Sequence, residues 1–211
     1  MFKNDQNFSS GLGWITGIVL VIIGFVVWAS LSPESSPVVS NNRESLAGIQ
    51  SGNAPWLPEL SRLRERLRAI GLPALTREGT ALHIHQHVEI FIDGKPVEVP
   101  ASIGIDRANG FISDIHTHEA DAVIHIEAPK IRTFTLGQFF DVWGVVFTSQ
   151  RIGGYIQQGE KMLKVFVNGK LYSGDFRQLV LESHQEIVVA YGTEKELPNP
   201  IPSKYIFSEG D

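Results

Sequence analysis

The sequence predicts an α+β fold, in which an N-terminal transmembrane helix precedes a compact, mostly antiparallel β domain with one short packed helix. Three observations carry this expectation. The stretch from Phe8 to Pro33 holds no charged residue. Farther along, alternating segments are joined by Asp93-Gly94 and Asn168-Gly169, both dipeptides that favour tight hairpin turns. Between those hairpins, Thr135 stands ahead of Leu136–Trp143 and Gly144 behind it, the signature of one short capped helix. At 211 residues, 43% hydrophobic and 19% charged, the chain has enough apolar material for one globular domain behind an anchor.

Each element follows in order. Residues 1–31 are read as a short tail and anchor, with Gly11 to Leu31 long enough to cross the roughly 30 Å hydrocarbon layer as a helix. Trp14 and Trp28 sit near its ends, where indoles settle at the headgroup level. A cleaved signal peptide competes, with Val27 and Ala29 as small residues before a cut, but Asp5 offsets Lys3 in its charged region. A buried core helix is the third alternative. Lys3 and the amino terminus favour an inside N-terminus, which places the remainder outside the cytoplasm of a plasma membrane crossed once. Residues 32–56, rich in Ser, Pro, Asn and Gly, read as a flexible linker. Leu60, Leu63, Leu67 and Ile70 then recur at spacings of three and four, an amphipathic helix over 57–71 ended by Gly71 and Pro73. Its Arg62, Arg64, Arg66 and Arg68 are expected to form a solvated face, with anionic lipid as the competing contact.

The β-rich body occupies 80–192. Ala81 to Asp93 alternates, with Leu82, Ile84, Val88, Ile90 and Ile92 on one face and His83, His85, His87 and Glu89 on the other. A second hairpin turns through Glu119–Ala122. Its self-consistent register sets His116 opposite His125, Ile115 opposite Ile126 and Asp114 opposite Glu127, because a slip of one residue would mix polar and apolar faces. Lys164–Tyr172 forms a third hairpin and Gln185–Tyr191 a last strand. The prolines at 198, 200 and 202 mark residues 193–211 as an extended tail. The segments Phe91-Ile-Asp-Gly-Lys95 and Phe166-Val-Asn-Gly-Lys170 look alike, which shared turn chemistry explains as well as a repeat does.

Composition excludes several functions. A net charge of −5 gives no basic footprint for nucleic acid. With no cysteine, disulfides, thiolate catalysis, iron–sulfur clusters and Cys-based zinc sites are all absent. Neither a Gly-x-Ser-x-Gly elbow nor a P-loop is present.

Six of seven histidines fall in two short segments. Opposed β-carbons in a hairpin lie about 4.5–5.5 Å apart, so His116, His118 and His125 form a triangle able to converge on one ion. Stacked imidazoles would repel one another if protonated, and coordination resolves that conflict. The expected metal ligands are His85, His87, His116, His118 and His125, with Glu89, Asp114, Glu119 and Glu127 as supporting partners or a carboxylate ligand. Imidazole donors without sulfur suit zinc or copper ions. His184 stands apart and reads as structural.

The segments His83-Ile-His-Gln-His-Val-Glu-Ile-Phe-Ile-Asp-Gly-Lys-Pro96, Ile115-His-Thr-His-Glu119 with Val123-Ile-His-Ile-Glu127, and Phe134-Thr-Leu-Gly-Gln-Phe-Phe-Asp-Val-Trp-Gly144 resemble those of a family of bacterial and archaeal exported or membrane-anchored proteins. That resemblance implies a coherent domain and no particular reaction. A cupin shares His-x-His on strands but not the glycine spacing or the later histidine motif. The sequence thus leads to a membrane-anchored, extracytoplasmic protein binding zinc or copper, with an envelope protein as a possible partner. The competing readings are a hydrolase or hydratase with a three-His metal site and a pH-responsive envelope adaptor.

Overall fold

The computed structural model describes residues 45–208. The anchor expected within residues 1–31 and most of the linker lie outside the described residues. Among the described residues, no helix is long and apolar enough to cross a membrane.

The described residues form twelve strands, two eight-residue α-helices and two short 3-10 turns. Helix α1 spans Leu63–Ile70 and helix α2 Leu136–Trp143. The main sheet contains β1 (Leu82–Ile92), β2 (Lys95–Val97), β5 (Ile115–His116), β6 (Val123–Ala128), β10 (Met162–Val167), β11 (Lys170–Leu171) and β12 (Glu186–Gly192). Its order is β11-β10-β12-β1-β6-β5, with β2 also paired to β1. Small ribbons complete the set: β3 (Ile105–Asp106) with β4 (Phe111–Ile112), and β7 (Phe147–Thr148), β8 (Arg151–Ile152) and β9 (Tyr155–Ile156) together.

The predicted class is therefore corrected. Over the described residues the fold is a mostly β domain with two short helices, not an α+β domain with one packed helix. The helix expected to stand apart, α1, instead packs on α2 and joins the same core through Leu63 and Leu67. The sheet is also mixed at its centre, because β1 runs parallel to β12, from His87 beside Glu186 to Ile92 beside Tyr191. A parallel pair needs a long crossover, so no local turn signal announces it.

Strand β1 organises the molecule. At eleven residues it is long enough for its first half to pair with β6 and its last three residues with β2. One face, carrying Val88, Ile90, Ile187, Val189 and Val165, packs on Phe139, Phe140 and Trp143 of α2. Gln86 interrupts that face, fully buried and with neither amide atom hydrogen-bonded among the described residues. From Ser45 onward, the described part of the segment read as linker packs on the domain: Trp56 is buried and meets Trp143 edge-on at 6.0 Å.

The opposite face divides in two. Toward β10 it is apolar, with Phe166, Val188 and Ala190 covered by Phe91, Leu197 and Ile201, the last two from the tail. Toward β5 it carries the histidines.

The solvated arginine face is a second correction. Arg66 is fully buried, whereas Arg62 pairs with Glu65 at the surface and Arg64 lies 4.0 Å over the Phe111 ring. Residues two apart on a helix are rotated by about 200°, so four alternating arginines cannot share one face.

Candidate metal centre

The site is built by register. Strand β5 sets Ile115 against Ile126 and His116 against His125, the pairing that segregates polar from apolar side chains. Strand β1 then sets His85 against His125 and His83 against Glu127 across the next ladder. Opposed residues share a face, so His83, His85, His116, His125 and Glu127 all project from one side of three adjacent strands. His118 follows His116 two residues on, just beyond β5.

Two sets of donors result. His83, His85, His125 and Glu127 form one, and His116, His118, His125 and Glu127 the other; within each, one ligand atom per residue lies within 4.8 Å of every other. The Nε2 atoms of His116 and His118 are 3.1 Å apart, as are those of His83 and His85. Two nitrogens bound to one tetrahedral ion at about 2.0–2.1 Å would be separated by about 3.4 Å. The spacing is that of neighbouring ligands.

Burial and hydrogen bonding prepare the inner donors. His116 is fully buried, and its Nδ1 lies 3.0 Å from the Ser113 carbonyl. A carbonyl only accepts, so Nδ1 carries the proton and Nε2 presents its lone pair to the cluster. Burial, helped by the neighbouring His118, pushes the His116 imidazole down to about 3, which keeps it neutral. Glu127 is buried too, and burial together with nearby Glu78 raises its carboxyl above the ordinary range. Its Oε1 lies 3.1 Å from His83 Nε2, while Oε2 has no hydrogen-bond donor among the described residues and lies 3.8 Å from His116 Nε2. Asp114, across the hairpin from Glu127, is buried with Oδ1 unpartnered, and burial lifts it to about 6 against the pull of Arg132. The outer ligands reach solvent: the His118 side chain is 35% exposed and that of His83 51%.

Of the expected ligands, His85, His116, His118 and His125 fall in these two sets and His87 does not. Its Nδ1 lies 2.8 Å from Glu186 Oε2, and its ring stacks on Tyr205 of the tail at 3.9 Å. His87, Glu89 and Glu186 make a separate, third group, whose donor atoms also lie within 4.8 Å of one another and could hold an ion. The reason is topological. At His87, β1 leaves the β6 ladder and enters the parallel one, so the next partner is Glu186. Glu119, in the hairpin turn, is exposed and belongs to neither set.

One member, His83, was not among the expected metal ligands. His83 lies on the same strand face as His85, so alternation already contained its signal. Glu127 was one of four acidic residues expected as supporting partners or as a carboxylate ligand, and its place opposite His83 depends on the β1–β6 register.

No family model, curated protein or solved structure matches the chain.

Proposed function

We propose that this domain is a transition-metal binding module that holds zinc or copper on its strand-borne histidines. One observation carries the reading: His116, His118, His125 and Glu127 converge within 4.8 Å on a buried floor, with a carboxylate oxygen left unpartnered. An N–H···N hydrogen bond between two imidazoles would account for a 3.1 Å contact. It would leave Glu127 Oε2 buried without a donor, which costs more for a charged group than for a neutral one. A cation satisfies the ring nitrogens and the carboxylate together. Three imidazoles and one carboxylate suit a zinc or copper ion, and the donor set contains no sulfur.

The exposure of His118 and His83 favours a second reading, in which a bound ion keeps a position open to water and activates it for hydrolysis or hydration. Binding is common to both.

The test is metal uptake by the purified full-length chain after stripping with a chelator. Calorimetric titration with zinc, and separately with copper(II), at neutral pH is expected to show tight uptake. The variant His125→Ala with Glu127→Ala, which removes the donors common to both sets, is expected to lose it while keeping the far-ultraviolet circular dichroism of the parent. A parent chain that takes up neither ion overturns the proposal.

A further inference from the structure

The cluster offers six donors, and they fall into two sets rather than one. One set takes His83 and His85 from β1; the other takes His116 and His118 from the β5 side of the hairpin. Strand β6 runs between them and supplies His125 and Glu127 to both. A tetrahedral ion uses four donors, so one ion at either position leaves an imidazole pair unused.

Glu127 shows how the halves are joined. Its Oε1 faces one half, 3.1 Å from His83 Nε2, and its Oε2 faces the other, 3.8 Å from His116 Nε2. A carboxylate with one oxygen toward each of two donor pairs has the disposition of a bridging ligand. In two-metal sites such bridges span ions about 3.5–4 Å apart. The surroundings also suit more than one cation: Glu78 Oε1 is 3.6 Å from His118 Nε2. Five neutral imidazoles and one carboxylate would leave two divalent ions undercompensated. The Glu78 carboxylate supplies further negative charge close by.

We infer that the cluster is a dinuclear centre, holding two divalent transition-metal ions with Glu127 as the bridge between a His83–His85 half and a His116–His118 half. This rests on the metal-binding reading and deepens it. The centre takes first-row ions that accept imidazole, such as zinc, cobalt or copper. His125 completes the coordination at the β6 seam, and the partly exposed His83 and His118 form the solvent edge.

The experiment is stoichiometry on the full-length chain, stripped and then saturated with zinc or copper(II), with free metal removed before elemental analysis. Two ions per chain are expected. His83→Ala with His85→Ala should leave one, and His116→Ala with His118→Ala should also leave one. Loaded with copper(II), the parent should show the electron paramagnetic resonance of a magnetically coupled pair, and each half-site variant that of an isolated ion. One ion in the parent with an uncoupled spectrum overturns the dinuclear inference and leaves metal binding standing. No ion at all overturns both. The parent's stoichiometry and spectrum decide the matter even where a variant fails to fold.

Discussion

At the scale of single residues, Arg66 shows how little a charged side chain's fate depends on its type. Every guanidinium N–H is used inside the protein. Nε donates to the Asp141 carbonyl at 2.8 Å; Nη1 donates to the Ala47 carbonyl at 3.0 Å and to the Glu59 carboxylate. Nη2 donates to the carbonyls of Glu59 and Val142. The Asp141 and Val142 carbonyls belong to the last turn of α2, where carbonyls find no N–H donor within their own helix. One side chain from α1 thus caps the end of its neighbour. Burial draws the guanidinium down and the Glu59 carboxylate pulls it back, so the pair stands or falls together. Arg66→Met is expected to cost about 3–5 kcal/mol by urea unfolding, because it takes the cation from the Glu59 carboxylate and orphans two helix carbonyls at once. A loss below about 1 kcal/mol would contradict this account.

Among the elements, what could be read from sequence was whatever local chemistry decides. Helix α2 is closed by a capping box: Gln138 N donates to Thr135 Oγ1, and Thr135 N donates to Gln138 Oε1 at 3.1 Å. Thr135→Ala should lower stability by about 1 kcal/mol in thermal or urea melts, and Thr135→Ser should recover most of it. Hairpin turns were equally legible. Asn168 and Gly169 adopt φ of 51° and 78°, the pair of positive values that an Asn-Gly turn supplies at low strain. The His116–His125 pairing was legible for a different reason, since only one register keeps its isoleucines together. Long-range pairing was not legible. Nothing near His87 signals Glu186, ninety-nine residues later, so its place in a separate group with Glu89 and Glu186 could not be anticipated. Nor does the Pro-rich tail signal that Tyr205 stacks on that same ring.

For the molecule as a whole, the buried site should make the stability of the metal-free protein depend on pH. His116 has a folded value of about 3, below its unfolded 6.5. Its contribution is therefore complete above pH 6.5 and is lost as pH falls toward 3. Between pH 7 and pH 5 this one group removes about 2 kcal/mol. Asp114 acts in the opposite sense. Its folded value of about 6 lies above the unfolded 3.8, so its ionisation opposes folding above pH 6 and relents as pH falls through that value. The two partly cancel. With chelator present, Asp114→Asn is expected to show a steeper decline in urea midpoint from pH 7 to pH 5 than the parent does. Parallel profiles would count against the assignment.

The parallel contact between β1 and β12 also bears on how this protein is made. A ribosome delivers the first histidine strand and its hairpin partner early, and those can zip together while synthesis continues. The other flank of β1 must wait for Glu186–Gly192, near the end of translation. Until then the nascent chain carries an uncovered strand edge through the middle of its future sheet, and premature termination anywhere before Glu186 leaves that edge permanently open to pairing with other chains.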